Sequence, residues 1–189
     1  MGQAKATLAI RGQPAWLHCA RVCLGAGAAM VRVMISAEIH DTVRAKLPLS
    51  AGDTPRIDAL VVPERLRRRG PVGSILHGIQ ETRESQAWLL WPVDHPFVSA
   101  STVRSLAGGT GKIRMPRHTR RRGHPLLIDA SCRDGLLDTL AEGGTLRDFV
   151  RSRLYLLEDV DVNDPAVHWN CDDPAAFRAR LHEWEQLQR

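Results

Sequence analysis

The sequence predicts an α/β protein, three layers deep, with helices covering both faces of a mostly parallel sheet. Two observations carry this. Short β-branched or apolar runs alternate with helical patterns along all 189 residues, the order from which crossover units are built. The central run, AWLLWPV at 87–93, is apolar on both faces, as a strand covered on both sides must be. No internal repeat and no linker with a shifted composition interrupts the chain, so one domain over 1–189 is expected.

The elements follow in order. Gln13 and Pro14 open a helix, with Trp16, Ala20, Cys23, Leu24 and Gly27 at helical spacing until GAGAA ends it. VRVMI at 31–35 reads as a strand, Asp41 caps a helix through Leu47, and RIDALVV at 56–62 returns as a strand. GPVGSILHGI enters a helix near Val72. After the central strand, Ser99 caps a helix toward Leu106, IRM at 113–115 and PLLI at 125–128 are strand-like, and Ser131 and Thr145 cap two further helices. LYLLEDV is a strand. Asp173 with Pro174 starts a last amphipathic helix through Leu187, whose Leu181, Trp184 and Leu187 stripe is expected to pack on the protein's own sheet.

Composition narrows the function. Hydrophobic residues make up 43% and charged residues 25%, which argues against a disordered or fibrous chain. No apolar run reaches the roughly 18 to 20 residues that span a bilayer, and the N-terminal segment lacks the pattern of a secretory signal. A cytoplasmic protein with reduced thiols and no membrane partner is expected. Cys19, Cys23, Cys132 and Cys171 show no CxxC pairing. His18, Cys19 and Cys23 read as helix packing rather than as metal ligands. The net charge of +5 is concentrated in RLRRRG (65–70) and RHTRRRGH (117–124). Such clusters suit an anionic ligand or a solvated face; no aromatics interleave with them, so nucleic acid is not an expected partner.

Chemistry is expected where strands end, because ligands of open α/β sheets bind outside the carboxyl ends of the strands. The 87–93 strand delivers Asp94 there, and Pro96 stops the ladder. Asp94 either caps the next turn or holds Mg²⁺, which takes one or two carboxylates together with phosphate oxygens and water. In WNCDDPAAF, Asp172 or Asp173 is a good helix cap. Asn170 and Asp172, alternating in an extended segment, point the same way and are able to share an ion.

Together VDHPF, RRGHPLLID, GGTLRDFVR and NCDDPAAF, in this order and at these intervals, resemble the MobA-like nucleotidyltransferases, the family that includes molybdenum cofactor cytidylyltransferases and guanylyltransferases. GPVGSILHGI looks like that family's nucleotide-contacting stretch, which implies nucleotide contacts for Gly73 and Ser74. The resemblance covers essentially the whole chain. It implies a Rossmann-like, glycosyltransferase-A-like nucleotide-diphospho-sugar transferase fold and transfer of a nucleoside monophosphate from CTP or GTP to a phosphorylated acceptor, with release of pyrophosphate. By the same resemblance Asp94 binds Mg²⁺ with Asn170 or Asp172, and Arg122, Gly123 and His124 receive the acceptor, Arg120 and Arg121 adding attraction for an anion. Where the cytidylyltransferase pattern reads DIDTPED, this chain has NCDDPAA, so Asn170 brings no charge and Asp172 carries more of the metal binding.

The family opens with a buried strand and a loop of the form LAAGxSxRMGxxK, whose last five positions match MGQAK. Gly2 then corresponds to the final loop glycine and Lys5 to the lysine that neutralises the triphosphate, with the first strand missing. Either the motif's internal Met was taken as the start, or the strand has been lost; the unpaired backbone that loss of a central strand leaves favours the first. The acceptor is open between a molybdopterin, a sugar phosphate and another phosphorylated alcohol, and the oligomeric state is open too. The alternative reading is a non-catalytic nucleotide-binding or interaction relative without the phosphate loop.

Overall fold

The computed structural model describes residues 8–47 and 56–187; Gly2 and Lys5 lie outside them. The described chain begins with a hairpin, β1 (Ala9–Ile10) against β2 (Gln13–Pro14). Its turn places Arg11 and Gly12 at φ 47° and 79°, the left-handed pair that two-residue hairpins use. Pro14 then precedes α1 (Ala15–Gly25). The helix thus starts just after the Gln13 and Pro14 expected to open it, because two-residue strands leave no periodicity to read.

Next come β3 (Val31–Ile35), α2 (His40–Arg44) and β4 (Ile57–Val61), with β3 and β4 paired in parallel from Val31↔Ile57 to Ile35↔Val61. After α3 (Glu64–Arg67) and α4 (Pro71–Glu81) the chain enters β5 (Ala87–Leu90), then α5 (Ala100–Gly108), β6 (Ile113–His118), β7 (Arg121–Arg122) and β8 (Leu126–Asp129). It closes with α6 (Arg133–Ala141), α7 (Leu146–Arg151), β9 (Leu157–Asp161) and α8 (Pro174–Leu187).

The class is α/β, as expected, while strand direction is mixed. The larger sheet runs β5, β8, β6, with β7 and β9 both on β6. β9 is parallel to β6, but β8 is antiparallel to both β5 and β6. The expectation of a mostly parallel sheet does not extend to β8, for a topological reason. β6 turns back into β7 through Thr119 and Arg120 alone, at φ 48° and 67°, and a two-residue turn reverses a strand where a helical crossover would not.

Among the described residues, apolar side chains form three clusters. One gathers Leu76, Ile79, Trp88, Ile113 and Ile128 with Leu136, Leu140 and Phe149 of α6 and α7. A second gathers Trp16, Leu17 and Ala20 of α1 with Ile35 and Ile57. The third joins Ile10 of the hairpin to Phe97, Val167, Trp169, Phe177 and Trp184. Val93 packs against both the second and the third. The α8 stripe packs within the protein at Leu181 and Trp184, but on the third cluster, built from the hairpin's Ile10 and the segments around Phe97 and Val167, rather than on the sheet as expected, and Leu187 is 61% exposed.

Capping follows side-chain chemistry. The Ser99 hydroxyl accepts from Thr102 N, Thr145 and Asp148 make a reciprocal capping box, and the Asp173 carboxylate accepts from Ala175 N and Ala176 N at 2.8 and 2.9 Å. Each such cap is worth about 1 kcal/mol. Ser131 does not cap: Asp129 takes that part, accepting from Ser131 N, and α6 begins after the short turn Ala130–Cys132. Asp164, buried, does more than cap. Its Oδ2 accepts from Ser99 N (2.9 Å), Ser99 Oγ (2.9 Å) and Thr102 Oγ1 (2.7 Å), and its Oδ1 accepts from Ala166 N (3.0 Å). One carboxylate therefore ties the start of α5 to the turn Pro165–His168. Replacing Asp164 with Ala strands those donors, and a loss of about 3 kcal/mol in urea unfolding is expected.

Candidate functional site

Past β5 the chain turns, and Asp94 stands beyond the strand's carboxyl end as the sequence implies. Three loops meet there, fastened by backbone. Cys171 N donates to Asp94 O at 2.8 Å, His124 N to Val167 O at 2.9 Å, and Gly123 N to Pro116 O at 2.8 Å. Within the first loop, His95 N donates to Pro92 O and the indole N–H of Trp91 donates to His95 O, at 3.1 and 2.9 Å.

Gly123 is required by this meeting. A Cβ on it would lie 2.4 Å from Val167 O and 2.7 Å from Val167 Cβ, closer than backbone and side chain can share space. The His124–Pro125 peptide that follows is cis. The junction delivers His124 onto His95, ring centroids 4.6 Å apart and planes tilted by 48°.

The side chains at this junction are left short of partners although its backbone is paired. Asp94 Oδ1, His95 Nδ1 and His124 Nδ1 are each buried without a hydrogen-bond partner; among the described residues only Arg32 and Arg133 also hold such an atom. Buried polar atoms are almost always paired, so three exceptions in one cluster single out this junction as the candidate site. His95 itself is only 7% exposed.

Burial disfavours the charged form of both rings. Burial, with the neighbouring His124, lowers the His95 imidazole to about 4, against smaller upward pulls from Asp94 and Asp172. His124 is lowered by burial too, Asp94 opposing. The Cys171 thiol is pushed up to about 11, chiefly by burial. Asp172 acts on both His95 and Cys171, so it belongs to the same neighbourhood. Asn170 and Asp172 are exposed on either side of buried Cys171, the alternation an extended segment gives.

The other expected site residues are placed differently. Gly73 and Ser74 sit on the first turn of α4, and a Cβ on Gly73 would meet Leu66 O at 1.8 Å. The glycine is thus what lets α3 pack on α4. Arg122 is engaged by Asp159, donating from Nε and from Nη2 at 2.5 and 3.1 Å, while Arg117 forks onto Asp161 at 2.6 and 2.8 Å. The basic loop is held along β9, and Arg120 and Arg121 at its tip are exposed. Cys19 and Cys23 are buried, with thiol pKa values raised by burial, which fits packing rather than ligation.

No role was read from the sequence for His95, although a histidine directly after Asp94 and a second in the GHP turn were its signal. The contributions of Val167 and Cys171 are made by backbone and leave no signal at all.

Residues 1–160 match the MobA-like NTP transferase domain. The chain belongs to this family. No curated protein sequence matches it. Among solved structures it is similar to Rv0371c from Mycobacterium tuberculosis H37Rv, with a TM-score of 0.77 at 20% identity over 96% of this chain and 90% of that one. A structure of Rv0371C in complex with manganese gives 0.74 at 20%, over 94% and 91%. A nucleotidyl transferase from Methanothermobacter thermautotroptrophicus gives 0.72 at 20%, over 97% and 86%. These likenesses show a shared fold. Among the described residues no helix is long and apolar enough to cross a membrane, and no group of three or more His, Cys, Asp or Glu is arranged to hold a metal ion.

Gly123 gives the sharpest test of the junction. Gly123→Ala must push Val167 away, and is expected to destabilise the protein by about 1–3 kcal/mol, read from its urea midpoint.

Proposed function

We propose that this MobA-like NTP transferase transfers a nucleoside monophosphate from CTP or GTP to a phosphorylated acceptor such as a molybdopterin, with Mg²⁺ at Asp94. The observation that carries the reading is the enclosed, unpartnered Asp94 carboxylate oxygen beside His95 and His124, at the end of β5. In the reaction an acceptor phosphate oxygen forms a bond to the α-phosphorus of the NTP while the bond from that phosphorus to the bridging oxygen breaks, and pyrophosphate leaves with that oxygen's electrons. No covalent enzyme intermediate is needed; positioning and charge neutralisation supply the catalysis.

The residues fit a divalent cation. Asp94 offers an oxygen that nothing in the protein satisfies, and Asp172 and Asn170 stand on the facing loop, which Cys171 N ties to Asp94. Bound there, Mg²⁺ would neutralise phosphate charge. Gly123, by letting the His124 backbone close onto Val167, positions the His124 ring, which holds the acceptor by hydrogen bonding. Arg120, Arg121 and Arg122 form a positive border, Arg122 through whatever charge Asp159 leaves uncompensated. Gly2 and Lys5 meet the triphosphate, and Gly73 and Ser74 the nucleotide.

Asp94→Asn preserves the shape and the backbone carbonyl that Cys171 uses. In full-length protein it is expected to lower Mg²⁺-dependent pyrophosphate release from CTP or GTP by at least ~10²-fold with the melting temperature unchanged. Equal turnover by the variant would refute the assignment, and absence of turnover in the native protein would point to a non-catalytic relative.

A further inference from the structure

Direct protein ligands around Asp94 are too few to enclose a metal ion, since no group of three His, Cys, Asp or Glu among the described residues is arranged to hold one. Mg²⁺ bound by one or two carboxylates keeps several of its own waters. Those waters carry O–H groups that need acceptors in a half-buried site. The structure has two without other work: the Nδ1 atoms of His95 and His124, enclosed and unpartnered beside the equally unpartnered Asp94 Oδ1.

We propose that His95 and His124 accept hydrogen bonds from the hydration water of a divalent cation at Asp94, so that the ion is held largely through its water. The inference rests on the reading of Asp94 as a cation site and adds the part played by the two rings. It explains why both rings sit on backbone that is tied down at His95 N, His95 O and His124 N while their Nδ1 atoms lack partners. It also explains why two imidazoles lie 4.6 Å apart with tilted planes next to a carboxylate without ion-pairing to it: a neutral imidazole has one nitrogen lone pair to offer and one N–H to give. The nitrogens are enclosed in this arrangement, and the broad two-fold freedom about the imidazole χ2 lets each ring turn toward an arriving ion. Plain core packing is the competing account, and it predicts that phenylalanine would serve as well at both positions.

The test uses the full-length protein without nucleotide, with Mn²⁺ as the probe read by electron paramagnetic resonance and calorimetry. Hexaamminecobalt(III), whose ammines do not exchange and which binds only through its outer shell, is the competitor. It is expected to displace Mn²⁺ from the native protein but not to bind Asp94→Asn. His95→Phe and His124→Phe are expected to weaken Mn²⁺ binding by about 10–100-fold, whereas His95→Gln, which keeps an acceptor, stays close to native affinity. Failure of the complex to compete, or native Mn²⁺ affinity in both phenylalanine variants, overturns the proposal while leaving Asp94 as a cation site. Absence of Mn²⁺ binding to the native protein overturns both. The competition needs no variant, so a misfolded His95→Phe does not rescue the idea.

Discussion

The carbonyl of Val167 is the constraint around which the site is organised. It accepts His124 N at 2.9 Å and lies against Gly123 so closely that no Cβ fits between them. Moving either chain by the width of a methyl group would break the hydrogen bond and separate the His124 ring from His95. Asp164 fixes the segment that carries Val167 by taking Ala166 N on one oxygen and the start of α5 on the other. Cys171 N then closes the circuit on Asp94 O. A buried carboxylate and three backbone contacts thus hold Asp94, His95 and His124 on loops, with a stiffness that loops alone do not have.

The balance of charge at the junction is set by burial and by neighbours more than by the protein's net charge. Part of the arginine surplus is engaged by β9: Arg117 of β6 and Arg122 of β7 face Asp161 and Asp159. Exposed pairs of this kind contribute at most about 1 kcal/mol each, so their consequence is orientation. The site itself holds carboxylates and neutral imidazoles, an arrangement that favours a cation with its water over a bare phosphate. On the proposed function, phosphate would enter as the partner of that cation and of the positive border around it.

The residues beyond the family match are part of this structure. Residues 1–160 carry the domain, yet Asp164, Val167, Cys171 and Asp172 all lie after it, as do Trp169, Phe177 and Trp184. The last two reach back to the beginning of the described chain, where Ile10 joins their cluster and Arg11 lies 4.7 Å over the Trp184 ring. The C-terminal segment thus braces both the Asp94 loop and the hairpin at the start of the described residues.

The sequence by itself determined the α/β class, because alternating apolar runs and helix caps are local signals that survive without tertiary context. Ser99, Thr145 and Asp173 show this best, since a cap needs only its own first turn. The sequence also placed Asp94 past the end of a doubly apolar strand. Tertiary structure decided the rest. It reversed β8 through the two-residue turn at Thr119 and Arg120, whose residue types carry no turn signal. It made Gly73 and Gly123 necessary by bringing Leu66 O and Val167 O against them from elsewhere in the chain. It engaged Arg122 with Asp159, and it stacked His95 on His124 from segments nearly thirty residues apart. The physical reason is common to all of these: local propensity is written in side chains a few positions apart, whereas close approach, burial and the loss of a hydrogen-bond partner are properties of whatever the folded chain brings alongside.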